Sequence, residues 1–278
     1  MNKEIVLVTK HGKERAVRRP FWVGLGLHTV CKTDFDTDLL GTFSGEVARA
    51  ESPLNTCIKK ARVGLAPGIS SALANEGSFG PHPYLPFVAA DFEMMAYVDS
   101  AGNEVVEQLL AYRTNYGHLD LKRHFEEAEL QAWLERVRFP SHALIIKVLS
   151  GDEFVFLEKG INSAYQLRNS LAVAAKHAGQ IRLETDMRAH CNPTRMGVIG
   201  RLAVKLVRRL LCHCPTCQAP GFGLEGREPG LPCSLCGNAT DLALFEIFAC
   251  PRCRNKERRP RSDGLKKASP GDCQFCNP

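Results

Sequence analysis

Apolar and polar positions alternate along the chain in two periods. Glu4–Thr9 (EIVLVT) is a short, nearly unbroken apolar run of the kind a buried strand shows, and Leu27–Thr33 repeats it. Ser52-Pro53 supplies a helix cap and a first helical position, predicting a helix to about Val63. Ser71–Asn75 is a short strand. Phe92–Asp99 and Glu104–Tyr112 form a hairpin across Ser100–Asn103. Leu121–Val137 carries helical periodicity. His142–Val148 and Glu153–Leu157 read as strands, Ile161–His177 as a helix, and Gln180–Thr185 as a further strand. A last helix, from about Thr194 to Leu211, puts Ile199, Leu202, Ala203, Leu206 and Leu210 on one face and Arg201, Lys205, Arg208 and Arg209 on the other. Strands alternating with helices predict an α/β fold, with a mostly parallel sheet and helices on both faces.

Composition divides the chain. Of twelve cysteines, ten lie between Cys191 and Cys276, so an α/β domain over 1–211 and a small module over 212–278 are expected. The module holds four Cys-x-x-Cys pairs, Cys214/Cys217, Cys233/Cys236, Cys250/Cys253 and Cys273/Cys276. Cys217 and Cys233 enclose 15 residues, and Cys253 and Cys273 enclose 19. Each pair can present two thiolates on one turn, and two such turns complete a tetrahedral site. The expectation is a zinc-ribbon-like module with two structural zinc sites. Either neighbouring pairs share a metal or the pairs interleave. All-cysteine coordination leaves no open position for catalysis.

The N-terminal segment reads as a first strand rather than a signal peptide, and no apolar stretch approaches about 20 residues, so a cytoplasmic protein without a membrane segment is expected. Residues 252–267 carry eight basic side chains against Glu257 and Asp263, a net +6 equal to the formal charge of the whole chain. Two Zn(Cys)4 centres, each with charge −2, bring the metallated chain to about +2. The basic run is a candidate phosphate-backbone contact or a solvated loop; it lacks interleaved aromatics for base stacking.

Polar residues collect in four segments that follow expected strands. These are Lys10–Glu14, Asp34–Asp38 with Gly41–Phe43, Asn75–Pro83 and Thr185–Arg195. In an open α/β sheet, ligands bind beyond the carboxyl ends of the strands, so parallel strands would bring these segments to one site. Asp36, Asp38, Glu76 and Asp186 are candidate acid/base groups or Mg²⁺ ligands. His11, His82 and His190 are candidate proton carriers. Lys10, Lys13, Arg188 and Arg195, with Asn192, are candidate anion-binding groups. Each has a plainer role open to it as a cap, turn or surface charge. The set predicts an enzyme acting on a phosphorylated or nucleotide-like substrate. The competing expectation is a non-enzymatic nucleic-acid-binding protein using residues 252–267.

The segments KHGKE, DTD with GTF, EGSFGPHP, TDMRAHCNPTR and the closing CNP resemble an uncharacterised bacterial family, a domain of unknown function. The resemblance spans essentially the whole chain and implies no activity. The order FPSHALIIK, LEKGI, helix, IRLETD over Phe139–Asp186 is also similar to the nucleotide-binding half of ATP-grasp enzymes. That likeness implies a phosphate contact for Lys147, although the second lobe of such enzymes does not follow.

Overall fold

The computed structural model describes residues 3–33, 52–121, 126–151 and 153–278. Strand β1 (Glu4–Val8) leads through helix α1 (Glu14–Leu25) to β2 (His28–Lys32). Helix α2 (Pro53–Val63) precedes β3 (Ser71–His82), β4 (Leu85–Asp99) and β5 (Glu104–Ala111). These strands form one sheet in the order β2-β1-β3-β4-β5. β1 runs parallel to β2 and β3, whereas β3–β4 and β4–β5 are antiparallel.

A second sheet is built from β6 (His118–Leu121), β7 (Leu144–Ser150), β8 (Glu153–Ile161) and β9 (Gln180–Thr185), in the order β6-β9-β7-β8. All its pairs are antiparallel. The expectation of a mostly parallel sheet is therefore corrected. The connections at residues 83–84 and 100–103 are hairpin turns, far too short for the crossover that parallel pairing requires. At the second turn, Asp99 Oδ1 accepts the N–H groups of Ala101 and Asn103 at 3.0 and 2.9 Å, which fixes the reversal.

Alternation along the first sheet sorts its side chains. Ile5, Leu7, Leu73 and Met95 join Val17 and Phe21 of α1 and Ile199, Leu202 and Leu206 of helix α5 (Pro193–Leu210). Their neighbours Val6, Val8, Ala72, Ala74, Met94 and Ala96 pack with Cys57 and Ala61 of α2. Ser52 Oγ accepts the Asn55 N–H at 3.3 Å and Pro53 occupies the first turn, so α2 starts where its cap sequence places it. The second sheet buries Leu144, Ile146, Val148 and Leu183 against helices α3 (Glu127–Arg136) and α4 (Ala164–Ala174), through Trp133, Leu134 and Leu167.

Two further differences from expectation have local causes. The segment Asn75–Pro83 is not a loop: as far as His82 it is the second half of β3, in register with β4 up to Pro81 and shifted before His82. β1 ends opposite Ala74, so the following residues of β3 no longer pair with it, and Gly80 and Pro81 are tolerated there. The segment Leu121–Val137 divides as well: Leu121 closes β6, and α3 begins at Glu127.

The cysteine-rich segment carries a three-stranded antiparallel sheet, β10 (Gly223–Pro229), β11 (Ala243–Ala249) and β12 (Lys256–Pro260). It sits against β5 and the end of α5. Arg209 donates to Gly221 O at 2.5 Å and to Leu224 O at 2.9 Å. Gly221 has φ +93°, and a Cβ there would lie 2.4 Å from Val105, so only glycine allows this approach.

Candidate functional site

The four Cys-x-x-Cys turns share one local geometry. In each, the residue after the second cysteine returns its N–H to the first cysteine's carbonyl. These bonds are Gln218 to Cys214 at 3.0 Å, Gly237 to Cys233 at 3.1 Å, Arg254 to Cys250 at 3.1 Å and Asn277 to Cys273 at 2.8 Å. Thiols also accept backbone N–H groups, with Thr216 on Cys214, Leu235 on Cys233 and Cys253 on Cys250, each at 3.4 Å. Such bonds favour the thiolate that a metal needs. The pairs interleave: Cys214, Cys217, Cys250 and Cys253 form one group, and Cys233, Cys236, Cys273 and Cys276 the other. Sulfur–sulfur separations are 3.6 Å for Cys214–Cys253 and Cys217–Cys250, 3.9 Å for Cys233–Cys276 and 3.7 Å for Cys236–Cys273. A tetrahedral ion bonded to sulfur at about 2.3 Å, the zinc–thiolate distance, requires an edge of about 3.8 Å. Both groups can hold a metal ion of that kind.

A second concentration of polar side chains lies where the two large sheets meet. Lys13, at the start of α1, is buried, and its Nζ donates to Asn75 O at 2.8 Å. This carbonyl lies just past the point where β1 stops pairing with β3, so the ammonium supplies the donor that β1 no longer does. Burial first, and then the Arg195 guanidinium, lower the Lys13 pKa to about 8. On the α2 side of the sheet, Glu76 is ion-paired with Lys60.

On the opposite side, Arg195 projects from the first turn of α5 and is fully buried. Its Nε donates to Glu93 at 2.6 Å, its Nη1 donates to Met187 O at 2.5 Å, and its guanidinium lies 5.0 Å from the Phe79 ring centroid. Asn75 Nδ2 donates to the other oxygen of Glu93 at 2.9 Å. The position of Arg195 follows from the sequence CNPTR. Asn192 caps α5 by accepting the Arg195 N–H at 3.0 Å, and Pro193 follows it. The Asn192 amide also donates to Asn115 Oδ1 at 2.9 Å. Asn192, expected to bind ligand, is thus a buried helix cap.

The Asp186–Asn192 turn is anchored to β7, with Asp186 N–H bonded to Ala143 O at 2.8 Å and Ala143 N–H to Cys191 O at 3.0 Å. Arg188 embraces the Asp186 carboxylate, its closest bond being 2.6 Å from Nη2. His190 stacks on His11 with ring centroids 5.3 Å apart. Burial, followed by Lys13, His190, Arg195 and Arg188, lowers the His11 pKa to about 3. Burial and Arg188 lower that of His190. Both rings are neutral imidazoles at pH 7.

The structure thus brings together His11 and Lys13 from the segment after β1, Asp186, Arg188 and His190 from the turn after β9, and Arg195 from α5, while Glu76 of β3 points to the α2 side of the sheet. It does so through the abutment of two sheets rather than the edge of one. Lys10 lies exposed beside His11 at the end of β1. His82 stands apart: six residues along β3 from Glu76 correspond to about 20 Å, and its Nδ1 accepts the Tyr84 N–H at 3.2 Å. Asp36 and Asp38 lie outside the described residues. Among the described residues, the two cysteine groups are the only clusters suited to a metal ion, so Mg²⁺ finds no carboxylate cluster there. Lys147 is buried on β7 and paired with Glu184 at 2.8 Å.

Sequence reading passed over Asp91 and Glu93. In the run AADFEMMAYVD, alternation puts both carboxylates on the same face as Met95, which is packed under α5. Acidic residues at core-facing strand positions are the signal that could have found them.

The middle of the basic run folds as β12, and several of its charges are answered locally. Lys256 pairs with Glu225 at 2.6 Å, Arg258 with Glu228 and Arg259 with Glu257 at 2.7 Å, and Arg261 with Asp263 at 2.5 Å. Arg258 and Arg259 also lie over Phe245 and Phe248, at 4.3 and 4.4 Å. No helix among the described residues is long and apolar enough to cross a membrane.

No curated protein matches the chain. Among solved structures, a nucleoside-triphosphatase / dITP/XTP pyrophosphatase from Mycobacterium abscessus is similar over 38% of this chain and 71% of that one, at 16% identity and a TM-score of 0.28. A likeness of that size bears on neither fold nor function. The sequence itself is matched over residues 60–278 by the family described as a domain of unknown function (DUF6671), and the chain belongs to that family.

Proposed function

We propose that the chain is an enzyme acting on a phosphorylated, nucleotide-like substrate at the junction of its two large sheets. In this reading residues 1–211 carry the site. Residues 212–278 are stabilised by two structural zinc ions, held as thiolate complexes in the reducing cytoplasm. The observation that carries the reading is the stacked His11–His190 pair, kept neutral by burial and by the cations Lys13, Arg188 and Arg195. A cationic setting that disfavours protonation of imidazole favours an anion beside it. With a phosphoryl group in place, the same cations neutralise its charge, and the imidazoles move protons to and from it. Asp186 fixes the Arg188 guanidinium, and Glu76 fixes Lys60, so neither carboxylate is assigned to metal. Mg²⁺ enters this reading only through Asp36 and Asp38.

The test is a thermal-shift series on the full chain with ribose 5-phosphate and nucleoside monophosphates, with and without Mg²⁺. Ligand at 100 times its Kd stabilises the folded state by about 2.7 kcal/mol. A raised midpoint that is lost in Arg188→Gln is the expected result. No shift at millimolar concentrations of any of these compounds would dismiss the reading.

A further inference from the structure

Asp91 is the buried carboxyl that the site leaves unexplained. It lies on β4 directly between Phe79 of β3 and Ala111 of β5, two residues from Glu93 and on the same face. Its residue is 0% exposed, and apart from the adjacent Glu93 carboxylate, towards which its proton can point, neither carboxyl oxygen has a hydrogen-bond partner. Glu93, equally buried, is satisfied by Arg195 and Asn75. The charged groups that bear on Asp91 are Glu93 on its own strand and Arg195 and Arg201 on α5, while its cross-strand neighbours Phe79 and Ala111 carry no charge. Of these, the buried guanidinium of Arg195 is bonded to Glu93. Burial, and then Glu93, push the Asp91 pKa up to about 8, so in the empty protein it holds a proton at pH 7. Packing alone would be served by an apolar side chain here, as it is at Met95 on the same face. A buried carboxyl whose oxygens accept no donor from the protein instead points to a partner that comes and goes.

We propose that Asp91 is a substrate-recognising carboxyl that receives two parallel N–H donors, as a guanidino group or the amino–imino edge of a guanine-type base presents them. A carboxylate matches such a fork with two bonds. This assignment rests on the reading of the junction as an anionic-substrate site, and it names the group at the substrate's other end. Fork binding favours the ionised carboxylate, so affinity should rise as pH rises through the Asp91 pKa. A carboxyl that only packs would give no such trend.

The experiment measures binding to the full chain by calorimetry between pH 6 and 9. The probes are ribose 5-phosphate, AMP, GMP and phosphoarginine, on the natural protein and on Asp91→Asn and Asp91→Leu. GMP or phosphoarginine should bind at least about tenfold more tightly than ribose 5-phosphate, and which of the two does so identifies the fork. AMP, whose edge lacks the fork, should show no such gain. Both variants should keep ribose 5-phosphate affinity and lose the excess together with its pH trend. Equal affinity for all four probes, or an excess unchanged in both variants, overturns the assignment and leaves the anion site standing. Failure of ribose 5-phosphate and every other probe to bind overturns the anion site, and this assignment with it.

Discussion

Replacing Arg195 by methionine tests the junction most directly. The guanidinium and the Glu93 carboxylate are both fully buried and meet at 2.6 Å, and Arg195 also supplies the donor for Met187 O at 2.5 Å. Methionine retains much of the apolar volume but leaves Glu93 with only the Asn75 amide and strands the Met187 carbonyl. Breaking a buried pair from one side costs about 3–5 kcal/mol, because an uncompensated charge remains. For a chain of this size, each kcal/mol moves the midpoint by about 2–4 °C, so Arg195→Met should melt roughly 6–20 °C lower. Replacing both partners, Arg195→Met with Glu93→Leu, removes the buried charge and should recover most of that loss. Urea and thermal unfolding followed by circular dichroism would measure both variants. A single variant within about 1 kcal/mol of the natural protein, or a double variant no better than the single, would refute the account of Arg195 as the counter-charge on which this junction depends.

Asp91 should make stability fall with pH. Its folded pKa, near 8, lies above the ordinary carboxylate value of 3.8, so its contribution is complete below pH 4 and is lost progressively up to about pH 8. The slope approaches about 1.4 kcal/mol per pH unit. Asp91→Asn should flatten this dependence in urea titrations at pH 5 and pH 8, and unchanged slopes would contradict it. Interleaved coordination predicts that the double variant Cys217→Ser/Cys250→Ser, altered within one group, retains one metal equivalent by elemental analysis, whereas sharing between neighbouring pairs would leave none. Gly77→Ala should cost about 1–3 kcal/mol in chemical unfolding, because its Cβ would sit 2.6 Å from both Arg195 Nη2 and Glu93 Oε1; a neutral effect would mean that the pair has room to move.

Local signals in the sequence translated well into structure, and pairing signals did not. Ser52-Pro53 and the Ser100–Asn103 turn each act through bonds between residues a few positions apart, and the structure places a cap and a turn there, whereas Asn192-Pro193, read in the sequence as part of a ligand-binding segment, caps α5. Strand direction is a property of partners distant in sequence. Periodicity alone did not reveal that β3 would continue past Ala74 through Gly80 and Pro81, since those residues ordinarily mark loops. Segment composition marked His11, Lys13, Arg188, His190 and Arg195 as chemically dense, but the core-facing Glu93 and Asp91 lay inside a strand that otherwise reads as packing. Cysteine spacing identified two groups of four, yet both pairing schemes meet the ligand count. Only the crossing of β10, β11 and β12 decides between them.

The interleaving also distributes constraint unevenly along the chain. The ring closed by the first metal group runs from Cys214 to Cys253, and that of the second from Cys233 to Cys276. β10 lies inside the first ring alone and β12 inside the second alone, while β11 falls in their overlap. With a metal ion in each group, losing one would free one outer strand while the middle strand stays tethered. A chelator acting stepwise should expose amide hydrogens of β10 or β12 first, and those of β11 only after both ions have left.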